Sequence, residues 1–305
     1  MTDLGEAYDA FRTELIQAGL LVETGVAGLY GRNGEFEQVV AGINRAMDFA
    51  GRTDHVEHFG FAPIMSRRNY ERTDHLKSFP DLMGALHSFR GGDTEHRALT
   101  ASYERGEDWT THLRSTDMML CPAACYPLYP MLSGKPVPLT GRIFDVVGYC
   151  FRHEPSPDPA RMQMFRMHEN VFVGTPDDAV AFRDRWIDRC LDVLGGLGLD
   201  VRAEVANDPF FGRVGKMLKA NQRESHLKYE IVAPICSDEL RTAIASSNCH
   251  QDHLTVPFNI ELPGGQIAHS ACVGFGLERI TLALFKRHGL SVAAWPIAVR
   301  DKLFS

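Results

Sequence analysis

Residues 145–173 read DVVGYCFRHEPSPDPARMQMFRMHENVFV and place two segments rich in strand-forming residues on either side of a proline-rich loop. Valine, tyrosine and phenylalanine favour extended backbone, so we predict strands over 145–152 and 164–173. The three prolines between them cannot donate a ladder hydrogen bond and belong to the loop. The stretch therefore predicts a long-looped antiparallel hairpin, and with it an antiparallel sheet.

Side chains alternate along the second predicted strand, because successive residues of a strand point to opposite faces. Glu169 then lies among apolar neighbours, whereas Arg166 and His168 take the other face. The apolar neighbours of Glu169 are Phe165, Met167, Val171 and Val173. A lone carboxylate on an apolar face marks this strand as a candidate wall of a site.

Helices are predicted on both sides of the hairpin. A helix over 35–50 carries an apolar stripe with helical spacing, which indicates a face packed against a partner surface. Thr175, followed by proline and two aspartates, begins a second helix. A final helix is predicted over 277–288 with Gly289 as its C-cap. The stripe consists of Phe36, Val39, Val40, Ile43 and Met47.

The remaining strands complete one α+β domain over 1–305, an antiparallel sheet flanked by helices. We expect a short strand over 59–64 at a sheet edge or an interface, because Pro63 interrupts it. An N-terminal extension (1–35) and a helical insert (175–226) complete the predicted organisation. Further strands are predicted at 229–234, 242–248, 258–262 and 270–275.

Composition excludes several classes of function. With 305 residues, 44% hydrophobic and a net charge of −7, the chain should fold and has no bulk attraction for nucleic acid. No apolar run approaches the ~18 residues of a membrane span, and no secretory signal is present. Seven scattered cysteines fit free thiols, so we expect a cytoplasmic protein. P-loop, G-x-G-x-x-G and G-x-S-x-G motifs are lacking.

Two thiols and the buried-face carboxylate form a candidate metal site. Cys125, Glu169 and Cys272 would give a three-ligand zinc site with an open fourth position that can bind a substrate. Cys121 is the rival for the first ligand. The sequence favours surface positions for the histidines of the 250–253 cluster, which argues against a second metal site there. Small buried thiols and an arginine-paired glutamate are the alternative interpretation.

Three segments in order resemble motifs 1, 2 and 3 of the class II aminoacyl-tRNA synthetases. They are Pro63 after a helix-then-strand unit, FRHE at 151–154 with its following loop, and GFGLER at 274–279. The resemblance implies that Arg152 holds the α-phosphate of ATP. Guanidinium groups suit this task, because they bind phosphate oxygens bidentately and stabilise developing charge.

The same resemblance assigns the rest of the nucleotide site. Glu154 would bind the adenine amino group and Arg161 the γ-phosphate, while Phe165 and Arg279 would sandwich the adenine ring. The further ATP-binding residues that the resemblance implies are Met162, Thr242, Ala243, Ala245 and Ser246. The alternative is ordinary ion pairing of Arg152 with Glu154 and of Arg279 with Glu278.

Within the class, the chain resembles the archaeal-type seryl branch, through KYE at 228–230, ASSNC at 245–249 and NI at 259–260. In that branch zinc, held by a Cys-Glu-Cys set, takes the amino group of the substrate. Thr242 stands where the branch usually has a glutamate that helps to hold Mg²⁺, and Glu239 lies nearby. The implied amino-acid-binding residues are Glu169, Lys228 and Asn248.

The chain resembles most closely the amino acid:[carrier protein] ligases, truncated seryl-like homologues that load a phosphopantetheine thiol instead of tRNA. That implies an AMP-forming, zinc-dependent ligase and homodimer that takes a small amino acid, glycine first and alanine or serine next. An acidic carrier would dock on a basic helical face at Arg213, Lys216, Lys219 and Arg223. A minimal tRNA synthetase and a non-catalytic sensing paralogue stay open as alternatives.

Overall fold

A computed structural model describes residues 3–52, 55–208 and 226–305, and a seven-stranded sheet organises it. The strand order is β3-β7-β8-β12-β11-β10-β9, and every neighbouring pair is antiparallel except β3 and β7. These strands are β3 (Val56–Phe59), β7 (Arg142–Phe151), β8 (Met164–Gly174), β9 (Arg202–Val205), β10 (Lys228–Ala233), β11 (Thr242–Gln251) and β12 (His269–Gly276).

Two smaller sheets accompany it. One is a hairpin of β1 (Leu21–Glu23) and β2 (Tyr30–Arg32), and the other has the order β4-β6-β5. The strands of the latter are β4 (Ile64–Ser66), β5 (Ala85–Phe89) and β6 (Leu113–Leu120). The helices are α1 (Asp3–Gln17), α2 (Gly34–Gly51), α3 (Arg67–Arg72), α4 (His75–Ser78), α5 (Asp93–Glu104), α6 (Leu128–Leu132), α7 (Pro176–Gly196), α8 (Leu277–His288) and α9 (Ile297–Phe304). Within the described ranges, none of these helices combines the length and apolarity needed to cross a bilayer.

The predicted hairpin is confirmed as β7 and β8, whose register pairs Phe151 with Met164 at the loop end. The faces of β8 are also as predicted. Val171 and Val173 pack into a cluster with α6, while Phe172 packs into the larger core that includes α2, α7 and α8. The predicted ends of two helices are also confirmed. The Thr175 side chain caps the start of α7, and Gly289, with φ 92°, follows the last residue of α8.

The apolar stripe of α2 is buried inside the chain. Its five members are almost inaccessible and belong to the core shared with α7 and α8. Gly42 touches the backbone of Leu303 so closely that an added Cβ would lie 2.6 Å from its carbonyl oxygen. This stripe is therefore not available as a subunit interface, because α8 and α9 already cover it.

Three sequence predictions differ from the structure. The stretch 59–64 forms parts of two edge strands, β3 and β4, in different sheets, because Pro63 separates them. Residues 258–262 form no strand: Val256–Phe258 is a 3-10 turn, and Glu261 makes one isolated bridge. The insert is not wholly helical, because β9 follows α7 as an edge strand. The basic helix predicted there falls largely on 209–225, outside the described residues.

Candidate active site

One cavity of about 510 Å³ lies over the face of the sheet that carries Glu169. Its walls come from the hairpin loop, from β10, β11 and β12, from the start of α8, and from the chain at 73–82 and 122–126. Most of the predicted site residues line it. They are Cys125, Arg152, Glu154, Arg161, Met162, Phe165, Glu169, Lys228, Ala243, Ala245, Ser246, Asn248, Cys272 and Arg279.

Arg152, which follows β7, and Arg279, which is on α8, enter the cavity from different sides. The Nε of Arg152 donates to the carbonyl of Pro122 at 3.2 Å, and Arg279 donates to the carbonyls of Ala160 and Ala243 at 2.8 and 3.0 Å. Among the described residues neither forms an ion pair. Burial, and then Arg152 and Arg161, lower the pKa of Arg279. Two cationic groups thus face one space without a carboxylate partner, which suits an anionic ligand.

The neighbouring carboxylates pair elsewhere. Glu154 accepts from Arg161 at 2.7 Å, and Glu278 accepts from the Nε of Arg166 at 2.7 Å. The alternative pairing of Arg152 with Glu154 and of Arg279 with Glu278 is therefore not realised. The ring of Phe165 lies 5.5 Å from the Arg152 guanidinium carbon, and Arg279 lines the same cavity.

Thr242 is the predicted ATP-binding residue that lies apart from the others. It begins β11 and is absent from the described lining of the cavity, although its neighbour Ala243 is part of it. Glu239 is exposed and does not line the cavity either. Neither Thr242 nor Glu239 therefore supplies a carboxylate to the described wall of the cavity.

The thiol and carboxylate candidates lie together at the deep end. Ala124 donates its backbone N–H to Glu169 Oε1 at 2.8 Å, and the Cys125 thiol hydrogen-bonds the same carboxylate. Burial raises the pKa of Glu169, of Cys125 and of Cys272. Asn248 Nδ2 lies 3.6 Å from Cys272 Sγ. A cation would relieve this cost, because it favours the deprotonated forms.

This donor set fits a zinc ion in its chemistry and burial. Two thiols and a carboxylate are typical zinc ligands, and hydrogen bonds from Ala124 and Asn248 orient two of them. Their ligand atoms do not all lie within 4.8 Å of one another, so side-chain rotation is required to close the set. Cys121 packs with Met65 and Tyr70 in a separate cluster away from the described cavity wall, which favours Cys125 as first ligand.

His250 was missed by sequence reasoning. It lines the cavity, and its Nε2 lies 3.4 Å from Cys272 Sγ, so the expectation of a surface position is wrong for this residue. Burial lowers its pKa to about 4. The residue is the second-last of β11, before Gln251, which has a positive φ of 54°. Strand alternation was the available signal, because continuing it past the predicted end at 248 places His250 on the same face as Asn248.

Lys228 is held by two acidic residues that the sequence analysis did not single out. Its Nζ lies 2.6 Å from Asp208 and 3.1 Å from Glu230. Burial opposes the charge, but both carboxylates outweigh it and raise the pKa of Lys228. Asp208 and Glu230 also line the cavity. The predicted docking residues lie outside the described residues; they are Arg213, Lys216, Lys219 and Arg223.

No protein-family model matches the sequence. Two relatives in Bradyrhizobium diazoefficiens are named amino acid–[acyl-carrier-protein] ligase 2 and 1. The first is 45% identical over 285 residues, covering 93% of this chain and 85% of the relative. The second is 42% identical over 280 residues, covering 92% and 86%. A type-2 serine–tRNA ligase of Methanopyrus kandleri is 26% identical over 70% of this chain and 41% of its own length.

Solved structures give the same fold. The M. kandleri seryl-tRNA synthetase, in a complex with A. aeolicus tRNASec, superposes with a TM-score of 0.80 at 20% identity. The match covers 96% of this chain and 59% of that chain. A cytoplasmic serine–tRNA ligase of Naegleria fowleri in complex with AMP gives 0.71 at 14% identity. The predicted class II synthetase-like fold is thus confirmed.

Proposed function

The chain belongs to the amino acid–[acyl-carrier-protein] ligase family, and from that premise we propose that it activates a small amino acid with ATP and loads it onto a carrier protein. Ligase activity is supported by the names of both relatives. The finer steps are our proposal: an aminoacyl-adenylate forms first, and the phosphopantetheine thiol of the carrier receives the aminoacyl group.

One observation carries the proposal. Arg152 and Arg279 meet at the same cavity that holds Cys125, Glu169 and Cys272. The first pair supplies positive charge for phosphate, and the second group supplies ligands for a metal that could hold an amine. Adenylate formation needs both at once, because the carboxylate of the amino acid must approach the α-phosphate of ATP.

In the first step, which forms the adenylate, the protein would act by stabilising charge. An oxygen of the substrate carboxylate attacks the α-phosphorus, and the bond to pyrophosphate breaks. Arg152 would neutralise the charge that develops on the α-phosphate oxygens, while Arg279 would hold the nucleotide. Arg161 would turn from Glu154, where it lies in this structure, toward the γ-phosphate. Mg²⁺ is expected with ATP, because it neutralises the phosphates.

Zinc held by Cys125, Glu169 and Cys272 would supply a Lewis-acid position for the substrate amine. The choice of substrate rests on the methionine, alanine and serine residues near the site, which suggest a small side chain. Met167, Ala245 and Ser246 are among the residues that line the cavity. We therefore propose glycine first and alanine or serine next.

In the second step the carrier thiol attacks the carbonyl carbon, and the bond to AMP breaks. This step needs no protein nucleophile, and the described cavity offers none with a lowered thiol pKa: burial raises that pKa in both Cys125 and Cys272. The ligase would act by positioning the two substrates. Transfer to tRNA is the competing outcome, since the M. kandleri structure contains tRNA.

The test is ATP–pyrophosphate exchange with each standard amino acid, with Zn²⁺ and Mg²⁺ present. We expect exchange with one or two small amino acids. Transfer is then measured to a phosphopantetheinylated carrier, to the same carrier without the prosthetic group, and to bulk tRNA. Loading of the modified carrier alone supports the proposal. Silence across the panel favours a sensing paralogue, and charging of tRNA favours a minimal synthetase.

Cys272→Ser separates the metal proposal from general stability. This variant should lose bound zinc and amino-acid-dependent exchange, because a serine hydroxyl is a poor zinc ligand. Cys190→Ser is the matched control, since Cys190 is equally buried but lies on α7 in the main core. Full exchange by a metal-free Cys272→Ser protein would reject the zinc proposal.

A further inference from the structure

A second cluster of ligand-type side chains lies on the opposite face of β8 from Glu169. Asp48 on α2, Asp145 on β7 and His168 on β8 place their ligand atoms within 4.8 Å of one another. His168 Nε2 lies 2.8 Å from Asp145 Oδ2 and 3.8 Å from Asp48 Oδ1. The three residues come from three elements, so their convergence is a product of the fold.

The histidine is held as metal-binding histidines are. His168 is fully buried, and its Nδ1 lies 2.9 Å from Asn44 Oδ1. In the tautomer with Nδ1–H, that proton is donated to the amide oxygen, and the Nε2 lone pair faces the two carboxylates. A second-shell acceptor of this kind fixes ring orientation and makes Nε2 available as a ligand.

Asn170 provides an independent sign that a ligand belongs here. Its side chain is 1% exposed, and neither its Oδ1 nor its Nδ2 has a hydrogen-bond partner among the described residues. Buried amides are normally satisfied. Asn170 lies directly opposite Asp145 in the β7–β8 register. Its Oδ1 is 3.4 Å from the Cβ position of Gly51, one helical turn after Asp48, so the amide faces the end of the helix that carries Asp48.

The cluster is open on one side. The side chain of Asp48 is 42% exposed, and His58 is 71% exposed with its Nδ1 3.7 Å from Asp145 Oδ1. A cation can therefore enter from solvent at the end of α2, where the positive charge of Arg52 also acts on Asp48. Entry does not pass through the candidate active site, because β8 separates the two faces.

We propose that Asp48, Asp145 and His168, with the side-chain amide oxygen Oδ1 of Asn170, bind a divalent transition-metal ion that ties α2 to the sheet. Mixed imidazole and carboxylate oxygen donors suit Zn²⁺, Co²⁺ or Mn²⁺. The site contains no thiol, which distinguishes it from the Cys125–Glu169–Cys272 set. Its existence does not depend on the proposed ligase reaction.

Cobalt binding to the whole chain tests the proposal, because thiolate-bound Co²⁺ has a sulfur-to-metal charge-transfer band and the new site would lack it. The metal-depleted protein should bind an equivalent of Co²⁺ that adds nothing to this band and that raises Tm. Asp48→Asn should weaken that equivalent by about tenfold or more. Asp188→Asn, an exposed change on α7, should leave it unchanged.

Two results would overturn the proposal. One is that the wild-type protein binds no Co²⁺, or binds only the Co²⁺ that the thiolate band accounts for. The other is Asp48→Asn protein with the same Co²⁺ stoichiometry, affinity and Tm shift as the wild type. Circular dichroism of the metal-free variants confirms that Asp48→Asn and Asp188→Asn are equally folded. In either case these residues would serve only to form the hydrogen-bonded chain Asn44–His168–Asp145 within the fold.

Discussion

His75 is a buried histidine whose two ring nitrogens have no hydrogen-bond partner among the described residues. It begins α4 and packs against the rings of Tyr70, Phe79 and Tyr126. Burial, helped by the charge of Arg152, lowers its pKa to about 4. The folded chain therefore keeps this imidazole neutral at pH values where the unfolded chain protonates it.

The resulting prediction concerns stability in acid. Because the folded pKa is below the ordinary value of 6.5, the unfolded state binds more protons, and the free energy of unfolding falls as pH drops from 6.5 toward 4. Linkage gives a loss of about 2 kcal/mol between pH 7 and pH 5 from this residue. His75→Phe should remove that share and leave the part due to His250, whose pKa is also lowered to about 4.

Urea unfolding at pH 7 and pH 5 measures the difference, and His87→Phe on the exposed face of β5 is the control. If His75→Phe and wild type lose equal stability between the two pH values, His75 is solvated or paired in the folded protein. The residue also lines the cavity, so the measurement is made without substrates.

Individual residues show where sequence reasoning reaches its limit. Phe165 and Glu169 could be placed on one face, because strand alternation fixes which side chains share a face, and the family resemblance added Arg152 to them. The pairing of Glu154 with Arg161 could not be predicted, since it depends on how the loop folds back. The contact of His250 with Cys272 is a cross-strand relation between β11 and β12, and a single sequence does not give strand register.

At the scale of elements, an ion-pair network fastens β8 to the helices that cover it. Glu278, at the start of α8, is 2% exposed and accepts from the Nε and the backbone N–H of Arg166. Arg166 also pairs with Glu37 of α2, and Arg32 lies 3.3 Å from Glu278. These ion pairs and hydrogen bonds hold β8, α2 and α8 in one arrangement.

Removal of one partner should therefore be costly. Glu278→Ala would leave the partly buried Arg166 and Arg32 charges short of a partner, and we expect a loss of about 3 kcal/mol in the free energy of unfolding. Glu57→Ala is the matched control: Glu57 is 44% exposed and makes an equally good two-pronged pair with Arg142. That change should cost less than about 1 kcal/mol.

Urea denaturation of the two variants gives both numbers. Equal losses would show that Glu37 and solvent satisfy Arg166 and Arg32 without Glu278. The pH dependence gives a second check, since the Arg142 pair lowers the pKa of Glu57 below its ordinary 4.5. The small contribution of that pair should disappear as pH falls through the folded pKa.

Elements with strong local signals were predictable, and those defined by long-range contacts were not. The helix at 277–288 has apolar spacing, basic residues in its last turn and a glycine C-cap, so its bounds agree with α8. Residues 258–262 have strand-like composition but find only one bridge partner. The β4-β6-β5 sheet joins segments that are far apart in sequence and has largely exposed strands, so no clear alternation marks it.

At the scale of the whole molecule, the two candidate sites lie on opposite faces of one sheet. The remaining question is where the proposed carrier protein binds. Net charge over the chain is −7, yet residues 209–225 contain four basic residues and one acidic residue, a local balance of 4 − 1 = +3. This basic segment directly follows Asp208, which lines the cavity. Its positive charge, opposite to that of an acidic carrier, is the basis of the docking role that we propose for it.

Charge reversal tests that role. Replacement of Arg213, Lys216 and Lys219 by glutamate should slow loading of the carrier thiol, because attraction to an acidic partner sets the association rate. Amino-acid-dependent ATP–pyrophosphate exchange should be spared. Reversal of three exposed basic residues elsewhere, Arg90, Arg97 and Lys135, is the control and should affect neither rate.

The two rates together decide between docking and a catalytic role for the segment. A docking surface acts on the encounter with the carrier, so the loss in loading should shrink as carrier concentration rises and should diminish at high salt. An equal loss in exchange and loading would instead show that the segment supports the adenylate site, for example through Asp208 and Lys228, which are bonded at the cavity wall. Equal loading by both triple variants would remove the segment from consideration as the carrier's binding surface.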